Sequence, residues 1–308
     1  MRRHSHFWGQ LPDGTGLSFP VIELGAGRPH AVFTAGVHGD EYEGPLALHD
    51  LARALERREL AGRVTILPFV NAPALWAGTR LSPLDGVNLA RIFPGDAQGG
   101  PSARLAAAVW SHVAGADALF DCHSGGSEMC FIPVAGFYGP GGGISVEAAA
   151  ASRGLAEATG IVDLWHLPAT PGVLSHEAAR AGIAATGAEV GGRGGARPGD
   201  VAIYRAAFLR LLAHLGIVKA QGEAAPSAVP PRVLGGDWTL APEPGLFRVL
   251  APLGAEVTAG TPLARIEAPG GDVLATLEAA HDGVILAERN LARVRAGDLA
   301  TFVARVLA

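Results

Sequence analysis

The chain has 308 residues, 49% of them hydrophobic and 17% charged, which is enough for two domains with full cores. A net charge of −5 leaves no basic footprint for nucleic acid, and two cysteines, Cys122 and Cys130, are too few for a secreted disulfide scaffold. Lys219 is the single lysine; it lies in Val-Lys-Ala, not Gly-Lys-Ser/Thr, which excludes a phosphate-binding P-loop, and it is poorly placed for a Schiff base.

Taken in chain order, the amino-terminal segment carries two arginines but no apolar stretch of signal-peptide type, and its His4 and His6 read as part of a frayed end. A short apolar run over 31–37 predicts a buried strand. Pro45 then opens a helix with Leu48, Leu51 and Leu55 on one face and Glu56, Arg57, Arg58 and Glu59 in solvent. Residues 63–70 predict the next strand, and the Gly- and Pro-rich stretch 76–100 a long loop of the kind that carries function. A helix over 102–113 and a strand over 118–122 follow. Further strands are expected over 129–134, 161–165 and 183–190, with a last helix over 201–218. Such alternation predicts an α/β layered fold with a largely parallel sheet over residues 1–220. Residues 221–231 have the composition of a linker. Short strands broken by Gly and Pro then predict a small all-β domain over 232–308. No run of about 18 apolar residues occurs, so no membrane span is expected and the expected location is the cytoplasm.

Several catalytic signatures are missing. There is no Gly-x-Ser-x-Gly elbow, and the nearest approach to His-Glu-x-x-His, at His176–Arg180, ends in arginine. The glycine cluster 191–195 lacks a strand–loop–helix context and reads as a loop. The informative feature is His38-Gly-Asp-Glu41, directly after an expected strand. Two such side chains three residues apart can face one metal where the chain turns, and strand carboxyl ends are where open α/β sheets place their sites. His123, at the end of another strand, offers a third ligand, and two histidines with a glutamate form a known zinc set that leaves one position open. On spacing alone, His38 and His123 fit ordinary strand-end histidines equally well. Glu189 ends a third apolar strand and reads either as a base near a metal or as a surface glutamate. Arg80 and Arg91, in the long loop, are either solvated charges or forks for a carboxylate and an oxyanion. The remaining histidines read as structural.

Four stretches taken together carry a resemblance: Gly36–Gly44 (GVHGDEYEG), Gly78-Thr79-Arg80, Asp85–Gly95 (DGVNLARIFPG) and Asp121–Gly126 (DCHSGG), with Glu189 in Ala-Glu-Val-Gly. In order and spacing, over about residues 30–195, they resemble the succinylglutamate desuccinylase/aspartoacylase family, amidohydrolases related to the zinc carboxypeptidases. The wording around His38 is closest to the branch that deacetylates N-acetyl diaminobutyrate. The resemblance implies a zinc carboxypeptidase-like fold and one zinc ion per chain held by His38, Glu41 and His123. It implies Glu189 as general base, Arg80 on the oxyanion side, and Arg91 with Asn88 at the substrate. The implied reaction is hydrolysis of a small N-acyl amino acid, with no nucleic-acid or membrane partner and self-association left open. Ala90 departs from the family, which has asparagine before the arginine. The carboxyl-terminal strands resemble a biotinyl/lipoyl-type hammerhead, here a barrel-like appendage expected to cover the rim of the site or to mediate self-association. The rival readings are a carboxypeptidase-like peptide hydrolase and a non-catalytic zinc- or ligand-binding protein.

Overall fold

Two long strands, Arg2–Gln10 (β1) and Gly16–Gly25 (β2), pair antiparallel across a turn in which Asp13 accepts a hydrogen bond from the Thr15 amide. The amino terminus is therefore not frayed. His6 stacks on Phe19 with ring centroids 5.1 Å apart and bonds His112 at 2.8 Å, so apolar burial and ring packing fix it. The structure is a computed structural model that describes residues 1–307.

After this hairpin, strands and helices alternate, with more helices than the sequence led us to expect: His30–Thr34 (β3), Glu43–Leu55 (α1), Arg63–Leu67 (β4), Ala72–Ala77 (α2), Pro101–Val113 (α3), Ala118–His123 (β5) and Met129–Tyr138 (β6). Val146–Ala158 (α4), Asp163–Leu167 (β7), Leu174–Arg180 (α5), Ala184–Gly192 (β8) and Pro198–His214 (α6) complete this part. The stretch 76–100 is irregular apart from the end of α2 and one 3₁₀ turn, Leu89–Arg91. It is tied down by Asp85, which accepts hydrogen bonds from the amide and hydroxyl of Ser102 at the start of α3.

Strands β3, β4, β5 and β8 form a parallel block in the order β4-β3-β5-β8. The sheet as a whole is mixed, not largely parallel. The connection from β5 to β6 is the short loop 124–128, which leaves no room for a crossover helix, so β6 returns in the opposite direction and pairs antiparallel with β8. Strand β7 lies parallel to β6. Helices α1 and α6 cover one face through Leu48, Leu51, Tyr204, Phe208 and Leu211; α3 and α5 cover the other through Leu105, Val109, Leu174 and Ala178.

Residues 222–224 form a short turn whose Ala224 is buried. Beyond it the described residues are all strand and loop: Arg232–Leu240 (β9), Gly245–Val249 (β10), Glu256–Val257 (β11), Pro262–Glu267 (β12), Val273–Glu278 (β13), Gly283–Arg289 (β14), Arg293–Val294 (β15) and Leu299–Val306 (β16). Four of these strands are not set apart from the central sheet. Strand β9 pairs in parallel with β7, β16 and β14 follow, and β14 pairs antiparallel with β6, so that β6, β7, β9, β16 and β14 close on themselves with β11 at the edge; β10, β12, β13 and β15 form a second, four-stranded sheet. Among the described residues no helix is long and apolar enough to cross a membrane.

Candidate metal centre and its cavity

The site stands at the carboxyl ends of β3, β5 and β8, three neighbours in the parallel block. Each strand contributes through its last residues or the loop that follows. His38 and Glu41 lie in the turn between β3 and α1. This turn is packed so closely on α2 that a Cβ on Gly39 would lie 2.0 Å from the Ala74 carbonyl carbon. The Gly39 amide donates to Thr79 O, and Asn71 Nδ2 to Val37 O, so the turn is also fixed by hydrogen bonds. Asp40 turns the other way and accepts from the Ser127 amide and hydroxyl, both at 2.8 Å, where Gly126 leaves no Cβ to obstruct it. Glu43 reaches across to accept from the Gly192 amide at 2.8 Å.

His38, Glu41 and His123 converge, with candidate ligand atoms all within 4.8 Å of one another. His38 Nδ1 lies 2.7 Å from Glu41 Oε1 and His123 Nδ1 lies 3.0 Å from Glu41 Oε2. The opposite ring nitrogens are both engaged. Asn88 Oδ1 accepts from the Ala90 amide at 3.0 Å, which fixes its oxygen, and faces His38 Nε2 at 3.1 Å. Asp121 Oδ2 faces His123 Nε2 at 3.1 Å while its other oxygen accepts from the Thr34 hydroxyl at 2.6 Å. With those acceptors in place, a proton on Nε2 of each imidazole leaves Nδ1 directed at the Glu41 carboxylate. Two ring nitrogens and a carboxylate, all buried or nearly so, face one point. The residues fit a metal ion.

The electrostatics agree. Burial, outweighing the Glu41 carboxylate, holds His38 below the ordinary histidine range. Burial works against ionisation of Glu41, but His38 and His123 hold its carboxyl well below the usual range. Burial likewise opposes the charged form of His123, and there Asp121 and Glu41 prevail and raise it. Arg80 donates to Glu41 Oε1 at 2.9 Å with about half of its side chain exposed.

Glu189 is the register partner of His123 on β8. Its Oε2 is buried without a hydrogen-bond partner. Burial, with Glu41 and Asp121 adding to it and His123 and Arg80 opposing, pushes its carboxyl up to about 8. Tyr204 of α6 ties the two strands together here: its hydroxyl accepts from the His123 amide at 3.2 Å and lies 2.7 Å from Ala188 O.

These residues open on a cavity of about 630 Å³. His38, Arg80, Arg91, His123, Glu189 and Tyr138 line it, as do Trp165, Trp238 and Phe302, which pack on one another. Strands β9 and β16 thus build part of its wall. Arg91 is exposed, and its NH1 donates to Ala90 O at 2.8 Å; partial desolvation, with Arg80 adding to it, lowers its pKa. Gly172 packs against the Arg91 backbone, and its carbonyl accepts from the Phe93 amide. Of the expected site residues, Asn88 alone stands behind the ligands, holding His38 with its Oδ1. Asp40, Glu43, Thr34 and Tyr204 were not singled out from the sequence. The acidic spacing in GDEYEG is a signal for the first two; nothing local marks the others.

Comparison with known proteins agrees with this geometry. The model of the succinylglutamate desuccinylase/aspartoacylase catalytic domain matches residues 28–215. N-alpha-acetyl-L-2,4-diaminobutyric acid deacetylase of Halomonas elongata is 33% identical over 299 residues, covering 93% of this chain and 85% of that one. The product-bound structure of the ectoine utilization protein EutE (DoeB) from Ruegeria pomeroyi superposes with a TM-score of 0.89 at 27% identity, covering 98% of this chain and 95% of the other. A metallo-carboxypeptidase from Burkholderia cenocepacia, 17% identical, shares the fold at a TM-score of 0.54 over 70% of this chain and 65% of that one.

Proposed function

Because the chain belongs to the succinylglutamate desuccinylase/aspartoacylase family, we propose that it is a zinc-dependent amidohydrolase that cleaves the amide bond of a small N-acyl amino acid, releasing a carboxylate and a free amino compound. The observation that carries this reading is the pairing of the His38–Glu41–His123 cluster with a buried, unpartnered Glu189 on the adjoining strand. A binding protein has no use for a base beside an open metal position. The similarity to a deacetylase along nearly the whole chain supports it.

One zinc ion per chain would be held by His38, Glu41 and His123. When bound, the ion supplies Lewis acidity: it polarises an acyl oxygen and brings the pKa of a water molecule toward neutrality. Glu189 accepts a proton from the attacking water and returns it to the leaving nitrogen. Its environment suits both steps, because a carboxyl raised toward neutrality both takes and gives a proton there. Arg80, steadied by Glu41, donates to the oxyanion that develops on the acyl oxygen. Arg91 pairs with the substrate's carboxylate, and Asn88 keeps its amide nitrogen for the same group. Ala90 provides no donor, so the carboxylate has one anchor fewer than in relatives with asparagine there.

The test is metal analysis of the purified protein followed by a hydrolysis screen against N-acyl amino acids and carboxyl-terminal peptides. Stoichiometric zinc with release of amine from the N-acyl amino acids supports the reading. Cleavage confined to peptides replaces it with a carboxypeptidase, and zinc without hydrolysis replaces it with a binding protein.

A further inference from the structure

The cavity floor beside Glu189 carries no side chain at Gly187, and beyond it the Leu167 side chain packs over Gly136. Register places Asp121, Gly187, Gly136 and Trp165 in one row across β5, β8, β6 and β7. Residues paired in a row project to the same side of a sheet. Asp121 therefore marks one end of the row and Trp165 the other, with two glycines between them, and both glycines line the cavity. Two strand spacings of about 4.8 Å separate β8 from β7, so roughly 10 Å lies between Gly187 and Trp165, with Leu167 adding an apolar side chain over Gly136 between them.

What the floor leads to is aromatic. Trp165 and Trp238 pack on the buried Phe302 with ring centroids 5.0 and 5.1 Å away, and all three border the cavity. The two tryptophans are only half-buried, which leaves ring surface for a ligand. The charges on the wall are distributed differently. Arg80 is paired with Glu41 and Arg91 is the partner of the substrate's carboxylate; no other arginine or lysine lines the cavity. Asp237, at the far end, is 85% exposed, with Arg305 at 3.7 Å. A second carboxylate on the substrate would meet no cation and one like charge. A substrate ammonium would meet only a solvated carboxylate, an interaction of small worth.

We infer that the preferred substrates are N-acyl amino acids with an aromatic side chain, which lies over Gly187, passes Leu167 and packs against Trp165 and Trp238. The inference rests on the amidohydrolase reading for the reaction but not for the pocket. Burial of a ring against two indoles favours such a substrate over a charged one of similar length.

Two measurements on the full-length protein test it. The first compares kcat/KM for the N-acetyl derivatives of L-phenylalanine, L-alanine, L-aspartate and L-2,4-diaminobutyrate. The phenylalanine derivative should exceed the two charged ones by at least about tenfold, and Trp165→Ala should lower the phenylalanine-to-alanine ratio by about tenfold. The second is calorimetric titration of the free amino acids into wild-type protein, where L-phenylalanine should bind more tightly than L-aspartate or L-2,4-diaminobutyrate. This arm needs neither turnover nor a variant that folds. Equal or better use and binding of either charged compound overturns the inference, as does an unchanged ratio in a folded Trp165→Ala protein. If nothing is hydrolysed but L-phenylalanine still binds selectively, the aromatic pocket stands and the amidohydrolase reading falls.

Discussion

His123 and Glu189 are register partners on adjacent parallel strands, so backbone pairing alone sets a candidate metal ligand beside the carboxylate with the free oxygen. Neighbouring strands lie about 4.8 Å apart. The geometry that a general base requires is therefore inherited from the sheet and does not depend on a flexible loop.

The metal set is the first point to test. His38→Ala and His123→Ala should each lose bound zinc, measured as metal per chain after dialysis, because two ligands cannot hold the ion against competition. Chelation of the wild type should abolish hydrolysis, and added zinc should restore it. Full zinc occupancy in either variant removes that residue from the set.

Glu189→Gln should keep the metal and lose turnover by about 10²–10⁴-fold. The amide preserves size but cannot take the proton. A variant that turns over near the wild-type rate would show Glu189 to be structural.

Asp121→Ala removes the acceptor that orients His123 Nε2 and leaves the Thr34 hydroxyl without its buried partner. Metal affinity should fall by about 10–100-fold, read by competition with a fluorescent chelator. An unaltered affinity would mean that Tyr204 and the strand pairing hold His123 without help.

Arg91→Ala should abolish the preference for an N-acyl amino acid over its uncharged amide, because a two-point arginine–carboxylate pair in the cavity is among the stronger charge-assisted contacts. The comparison is kcat/KM for the matched acid and amide in both proteins. Persistence of the preference would exclude Arg91 as the anchor.

Gly39→Ala tests the packing beneath the site. Its Cβ would enter the backbone of α2, 2.0 Å from Ala74 C, and backbone cannot move aside as a flexible side chain can. The cost should be about 1–3 kcal/mol or more, seen as a lowered Tm, with metal affinity falling alongside. A variant as stable as the wild type would show that the loop and α2 can separate.

What the sequence made legible was local. His38 and Glu41 sit three residues apart after an apolar strand, and Asp121-Cys122-His123 ends another, so strand ends and ligands could be read together. Two kinds of feature were not legible. One was direction: nothing in residues 124–138 announces that β6 runs against β8, because the cue is only the shortness of the loop before it. The other was long-range partnership. The β1–β2 hairpin reads weakly because its histidines and serines are polar, although Phe19 and Trp8 bury its inner side. Helix α4 was missed although Ser145 caps it by accepting from the Ala148 amide, a cue masked by the glycines just before it. Tyr204 and Thr34 act on the site through contacts made from distant positions, which no motif records.

The parallel pairing of β9 with β7 has a consequence for how this protein can vary. Trp165 and Trp238 sit on opposite sides of that seam, one encoded before residue 220 and the other after it. A change of register by two residues in the carboxyl-terminal strands would slide a new side chain into the cavity while leaving every ligand of the metal untouched. Part of the cavity's aromatic wall, Trp238 and Phe302, is thus written apart from the stretch that holds the candidate ligands, and that part can drift through the last 80 residues or so without a single substitution among them.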